Sequence, residues 1–278
     1  MNQVEAPRNV LVVIGTGGMG LAVARRLGGG RRVLLADFSA ASLDAAVTTL
    51  ADEGHDVHGH IADVSDRASV GKLAADTAAV GRIDAVVHTA GVSPVTADAR
   101  QIYRVDLLGT AHVIDAFYPV AVPGTSLVAV ASMAGQFASL SADLETHLAT
   151  APTEELLDHE GIDPHAHPGI AYTLAKRGNQ LRVQASAHAW GGKGARINTI
   201  SPGVVSTPMG RAELQGEAGA HIRSMIDLSG ARRVGGPDDI AAAAAFLTGP
   251  DSTFITGNDL LVDGGVISTQ RWHTAAAA

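Results

Sequence analysis

Seven short apolar runs punctuate the chain, and longer stretches with helical spacing separate them. Residues 9–14 (NVLVVI) are almost continuously apolar, as a strand is when helices cover both faces of a parallel sheet. Runs at 32–36 (RVLLA), 57–61 (VHGHI), 83–87 (IDAVV), 126–130 (SLVAV), 196–200 (RINTI) and 259–262 (DLLV) read as further strands. Stretches 21–27, 39–53, 67–80, 99–120, 169–190 and 238–247 read as helices. Pro237 stands where a proline suits a helix start, and Gly191-Gly192 reads as the break after 169–190. Strand and helix alternate without an internal repeat. This predicts an α/β fold, one domain over 1–278 with a single doubly wound parallel sheet of about seven strands. Two stretches break the rhythm. Residues 211–227 read as irregular and partly helical. Residues 136–168 are polar, with Glu145, Glu154, Glu155, Asp158 and Glu160. Residues 275–278 are expected to fray.

The joints between these elements carry the chemistry. The first strand runs into Gly15-Thr16-Gly17-Gly18-Met19-Gly20 and then a helix. In that setting Gly15 permits the tight turn, Gly17 lets the backbone approach a pyrophosphate, and Gly20 lets helix and strand pack closely. The phosphates would rest on the helix N-terminus. The second strand ends at Asp37, 20 residues beyond Gly17. A carboxylate there suits the ribose hydroxyls and favours NAD, since the extra phosphate of NADP would meet like charge. The competing reading of Asp37 is a helix cap, a task for which Ser39 is also placed. Arg31 and Arg32 sit at the other end of that strand and are not expected to reach the phosphate.

Composition narrows the class. The chain has 278 residues, 46% hydrophobic and 17% charged, with a formal net charge of -8. An acidic balance without basic clusters speaks against a nucleic-acid partner. Without cysteine there is neither disulfide nor thiolate chemistry. The opening MNQVEAPRNV has no secretory pattern, and no apolar run approaches membrane-spanning length. A cytoplasmic protein is the expectation. His165-Ala166-His167 lies in a loop bracketed by Pro164 and Pro168, with no compact acidic or thiol partner, so no metal site is expected.

Tyr172 and Lys176 lie four apart on a predicted helix and share a face. An ammonium beside a phenol lowers the phenol's pKa and suits it to proton transfer, although the same spacing also describes an ordinary surface pair. Ser132 follows the fifth strand and His88-Thr89-Ala90-Gly91 the fourth, on the rim that carries Gly17. Ser132 could be a turn serine, and His88 reads better as a hydrogen-bonded structural histidine than as a ligand.

Together these pieces resemble the short-chain dehydrogenase/reductase family over almost the whole chain. They are the glycine turn, Asp37, Asp63-Val64, His88 to Gly91, Ser132, Tyr172 with Lys176, Ser201-Pro202-Gly203 with Thr207, and Ile255-Thr256-Gly257 to Asp263-Gly264-Gly265. The resemblance implies a Rossmann-type fold and a nicotinamide-dependent enzyme interconverting a secondary alcohol and a ketone. It implies Tyr172 as general acid/base, Ser132 as holder of the substrate oxygen, and Lys176 as ligand of the nicotinamide ribose. Cofactor contacts would come from Gly15, Thr16, Gly17, Gly18, Met19, Gly20, Asp37, Phe38, Asp63, Val64, Thr89, Ala90, Gly91, Tyr172, Lys176, Pro202, Gly203, Val205 and Thr207. The glycine turn is one residue shorter than the family's, and the family's N-N-A-G reads His88-Thr89-Ala90-Gly91. Where the family has a catalytic asparagine, whose main-chain carbonyl holds a water of the proton relay, this chain has Asp106.

Ser132 and Tyr172 stand 40 residues apart, and the extra length is the acidic segment 136–168. The chain is similar here to the bacterial 3α-hydroxysteroid dehydrogenase/carbonyl reductase branch, in which an insertion covers a surface that other members use to form tetramers. The segment looks too polar to add a core layer, while Leu144, Leu148, Leu156 and Leu157 could anchor it. The resemblance thus implies a homodimer. Two rivals remain: a cofactor sensor that has lost catalysis, and a scaffold whose insertion is an interaction element.

Overall fold

The structure is a computed structural model that describes residues 9–273, so the expected frayed end at 275–278 lies outside it. Its strands are β1 (Asn9–Ile14), β2 (Arg32–Asp37), β3 (Asp56–Ile61), β4 (Arg82–His88), β5 (Ser126–Val130), β6 (Arg196–Pro202) and β7 (Asp259–Val262). They form one sheet in the order β3-β2-β1-β4-β5-β6-β7, and every neighbouring pair is parallel. The order turns back between β1 and β4, where the helices leaving adjacent strands go to opposite faces and open a crevice.

The helices are α1 (Gly18–Leu27), α2 (Ala40–Asp52), α3 (Arg67–Val80), α4 (Ala99–Ile102), α5 (Gly109–Phe117), α6 (Ala142–Thr150), α7 (Pro168–Gly192), α8 (Pro208–Gln215), α9 (Gly219–Leu228), α10 (Pro237–Thr248) and α11 (Val266–Trp272). Successive residues of a strand face opposite ways, and β1 shows the consequence. Leu11 and Val13 enter a core with Leu27, Leu43 and Ile240 from α1, α2 and α10. Val10, Val12 and Ile14 enter another with Leu73, Phe117 and Trp190 from α3, α5 and α7. Both faces bury apolar surface, which is why the run is continuous rather than alternating.

Three elements depart from the sequence reading. The helix expected over 99–120 is α4 and α5 joined by a π-helical turn at Tyr103–Leu108, and it stops at Phe117. Residues 211–227 are mostly helical, in α8 and α9 on either side of a break at 216–218. Gly191 and Gly192 do not break α7 but form its last turn.

The inserted segment does add a core layer. Leu144, Leu148, Leu156 and Ile162 are buried with Ile102, Leu107 and Leu174. Each of these four side chains contributes roughly 1.5–3 kcal/mol by leaving water, which fastens a segment that is otherwise mostly polar. Leu157 is only partly buried. Arg182 of α7, itself buried, donates to the Leu148 and Ala151 carbonyls at 3.3 and 3.0 Å and to Thr153 Oγ1 at 2.8 Å. Arg177 meets Glu145 at 2.7 Å. The segment therefore lies over α4, the π turn and α7.

Candidate active site

The C-terminal ends of the strands bring the predicted residues to one rim. Gly15 adopts φ 99°, and a Cβ there would stand 2.7 Å from the Ala90 nitrogen. Thr89 closes the joint from β4 by donating its Oγ1 to the carbonyls of Ile14 and Gly15, each at 3.1 Å. At Gly20 a Cβ would collide with the Gly15 carbonyl at 1.9 Å, so only glycine lets α1 lie this close to β1. A Cβ on Gly17 would meet nothing within 4 Å. Gly17 also caps α1 without a side chain, and the first turn holds no acid. Free first-turn N–H groups beside open ground are what an anion requires. These residues fit a dinucleotide pyrophosphate.

A cleft of about 700 Å³ runs along this rim, lined by every residue of the glycine turn except Thr16, and by Asp37, Phe38, Asp63, Val64, Thr89, Ala90, Gly91 and Thr207. Thr16 is turned away because it bonds Asp37, from its backbone nitrogen at 2.8 Å and its hydroxyl at 2.7 Å. The shortened turn is thereby tied to the tip of β2. The other Asp37 oxygen accepts from Ser39 N at 3.0 Å, while Ser39 itself caps α2. Arg31 and Arg32 pair with Asp84 and Asp56 at the far end of the strands, as expected. Arg100 and Arg104 of the α4 region also line the cleft. The sequence reading passed over them, although their spacing of four places them on one helix face.

A second cavity of about 840 Å³ continues from the cleft, sharing Met19, Thr89, Gly91 and Thr207 with it. Ser132, Tyr172, Lys176, Pro202, Gly203 and Val205 all line it. Ser132 leads a 3-10 turn, Met133–Phe137, and accepts from Ala134 N at 3.1 Å. Gln180 steadies the segment, donating to Ser201 Oγ at 2.9 Å and approaching the Ser132 carbonyl at 3.4 Å. The Lys176 ammonium lies 5.3 Å from the centre of the Tyr172 ring. Among the described residues none accepts a hydrogen bond from it.

Two electrostatic expectations fail. Tyr172 is not pulled below the usual phenol range but pushed above it. Burial is the main cause, the charges of Asp106 and Glu213 add to it, and a hydrogen bond from Ser132 only partly offsets them. His88 is fully buried, and among the described residues neither ring nitrogen has a hydrogen-bond partner. Burial, with the nearby Lys176 charge, depresses it to about 3. It is a neutral core ring rather than a hydrogen-bonded one.

Asp106 lines neither cavity. It sits fully buried behind Gly91, where a Cβ would stand 2.7 Å from its Oδ1. Oδ1 accepts from Val92 N at 2.9 Å and lies 3.8 Å from Lys176 Nζ, while Oδ2 has no partner among the described residues. Burial raises its pKa against the opposing pull of Lys176 and the Val92 N–H. Its carbonyl accepts from Thr110 Oγ1 at 2.8 Å and from Asn179 Nδ2 at 3.0 Å. Both bonds fall on the carbonyl to which the resemblance assigns the relay water. Asn179 was not singled out from sequence; its position three residues after Lys176, on the same face of α7, was the available signal.

Comparison with known proteins agrees with this geometry. The profile described as short chain dehydrogenase matches residues 8–142 and the one described as Enoyl-(Acyl carrier protein) reductase matches residues 160–267. "Short-chain dehydrogenase/reductase bsc3" of Alternaria brassicicola is 36% identical over 270 residues, covering 94% of this chain and 96% of that protein. The 3-alpha-hydroxysteroid dehydrogenase/carbonyl reductase of Comamonas testosteroni is 30% identical over 193 residues, covering 68% and 74%. The crystal structure of a variant actinorhodin polyketide ketoreductase with NADPH superposes with a TM-score of 0.73 at 23% identity, covering 93% of this chain and 97% of that one. The chain belongs to the short-chain dehydrogenase/reductase family. It is an oxidoreductase of that family, acting on CH–OH groups with a nicotinamide cofactor. Among the described residues no helix is long and apolar enough to cross a membrane.

Proposed function

We propose that the chain is an NAD-dependent dehydrogenase/reductase that interconverts a hydrophobic secondary alcohol and its ketone. One observation carries this reading: Ser132, Tyr172 and Lys176 open on a single cavity that runs into the dinucleotide cleft. The cofactor supplies the hydride chemistry when bound. Ser132 would hold the reacting oxygen, and Tyr172 would exchange the proton with it. In its raised state Tyr172 is a neutral phenol, ready to donate to a developing alkoxide. Lys176, with uncommitted N–H donors, would bind the ribose hydroxyls and bring positive charge beneath the phenol. Asp106 would act as a positioning residue, the counter-charge that keeps the buried ammonium in place. Asp37 at the tip of β2 supports NAD, since a carboxylate at that position suits the ribose hydroxyls and repels the extra phosphate of NADP.

The assay is a panel of steroid, terpenoid and aliphatic alcohols with NAD and with NADP. Tyr172→Phe should lower turnover by roughly two to four orders of magnitude while NAD binding persists. Near-normal turnover of that variant would remove Tyr172 from its role. A protein that binds NAD yet turns over no alcohol would be the sensor rather than the enzyme. We further infer a homodimer. The inserted segment covers the outer faces of α4 and α7, whereas the edge beyond β7 exposes Phe246, Phe254 and Trp272. A two-fold pair needs only one such self-complementary patch.

A further inference from the structure

The substrate cavity carries an acid that the proton-transfer machinery leaves unused. Glu213 lies on α8, six residues beyond Thr207, and lines the cavity with Tyr172 and Lys176. It is tied down from across the cavity. Ser93, itself buried, donates its hydroxyl to Glu213 Oε1 at 3.0 Å, and Ser93 Oγ in turn accepts from Val95 N at 3.2 Å. That bond joins the loop after β4 to α8 and fixes the carboxyl in one orientation. It satisfies one oxygen. Among the described residues, none donates to Oε2.

The surroundings say what the second oxygen can receive. Most of the wall is apolar, with Val95, Phe137, Met209, Ile222 and Met225 among its residues. Among the described residues the charged side chains lining it are Lys176, Glu213 and Glu217, with Glu217 exposed at the mouth. A partly buried carboxylate is costly unless a donor reaches it. Burial raises the Glu213 pKa, with the Ser93 hydrogen bond and the Lys176 charge opposing. At the free Glu213 oxygen an anionic group would meet like charge and has no proton to donate, whatever Lys176 offers elsewhere in the cavity. A cationic one would share the cavity with Lys176 and with the positive ring of an oxidised nicotinamide. A neutral hydroxyl satisfies the free oxygen without either repulsion, donating to the carboxylate or accepting from the carboxylic acid.

We propose that Glu213 is a specificity-determining residue that selects neutral, largely apolar alcohols bearing a second hydroxyl away from the reacting carbon. This rests on the oxidoreductase reading of the same cavity, and names the substrate class that reading left open. Hydrogen bonds to charged groups make the expected discrimination about tenfold to a hundredfold.

The test uses ring-matched probes: cyclohexanol and 2-decalol, each beside an analogue that carries a second hydroxyl or a carboxylate across the ring. The unmodified enzyme with NAD should prefer the diols in kcat/KM by at least about tenfold, the difference lying in KM, and should disfavour the carboxylates. Glu213→Leu should bring the diol preference to near unity. Glu213→Gln keeps a hydrogen-bonding amide but no charge, so it should retain much of the diol preference while admitting the carboxylates. Thermal melting of both variants reports that the fold is kept. Turnover with diol and carboxylate ratios unmoved by Glu213→Leu overturns the inference and leaves the oxidoreductase reading standing. Turnover of no alcohol by the unmodified enzyme overturns both.

Discussion

Replacing Asp106 with Asn removes one charge from the interior and keeps an oxygen for the Val92 N–H. At 3.8 Å from Lys176 Nζ, the carboxylate gains about 4 kcal/mol of attraction at an effective dielectric of about 20. Against this, burying a charge costs several kcal/mol, and burial is the stronger influence on Asp106, since its pKa is raised. Between the ordinary value of 3.8 and the raised one, the folded protein holds a proton that the unfolded chain has released. Stability from this group is therefore complete below the ordinary value and is lost as pH rises through the raised one, by at most about 1.4 kcal/mol per pH unit. Asparagine has no such loss. The stability of Asp106→Asn relative to the unmodified protein should climb from about pH 4 upward and level off once the native carboxyl is ionised. Urea unfolding of both proteins at half-unit steps from pH 4.5 to 8 measures this difference, and subtracting the two curves cancels groups common to both. A kinetic sign accompanies it: removing a charge that opposes Tyr172 ionisation should move the acid limb of alcohol oxidation to lower pH. A stability difference flat across the range would refute the account of Asp106 as a strained buried acid.

His88, depressed to about 3 from 6.5, has the opposite sign. Its stabilising contribution is present above the unfolded value and lost as pH falls toward 3, so His88→Leu should lessen acid destabilisation by up to about 1.4 kcal/mol per pH unit below 6.5. Unchanged acid unfolding would contradict its neutral burial. Asp37→Ala should weaken NAD binding, because Thr16 loses both bonds, and relax the preference over NADP, because the like charge is gone; equal kcat/KM for the two cofactors in the unmodified enzyme would sink the NAD assignment. Light scattering should find a dimer that Phe246→Asp with Phe254→Asp turns into monomers, whereas a tetramer built on the face of α4 and α7 would show that the insertion does not cap it.

The middle of the sheet was legible because its inner strands, buried on two sides, spell that burial in one run, as Val10 to Ile14 do. The glycine turn was legible because Gly15 and Gly20 answer steric demands that no other residue meets. The π turn was not, since Tyr103 to Leu108 carry a helical pattern that does not reveal where the hydrogen-bond ladder slips. The inserted layer was hidden by averaging: its anchors Leu144, Leu148, Leu156 and Ile162 are diluted among acids. The Tyr172–Lys176 spacing identified the partners but misjudged the balance of charge around them. Asp106 and Glu213 reach Tyr172 from other elements, and no local pattern announces that. Glu213 itself was missed for the same reason, because its partner Ser93 is 120 residues away.

The bond from Thr16 to Asp37 gives two duties to one carboxylate. The group we propose to discriminate between cofactors is also a strut of the loop that would grip the pyrophosphate both cofactors share. Opening this site to a phosphorylated ribose by a single substitution would slacken that grip at once. The Thr16 N–H and hydroxyl need a new acceptor before Asp37 is free to change. A lineage or an engineer moving the preference must therefore make two changes in order, and taking them in the wrong order passes through a protein that holds either cofactor poorly.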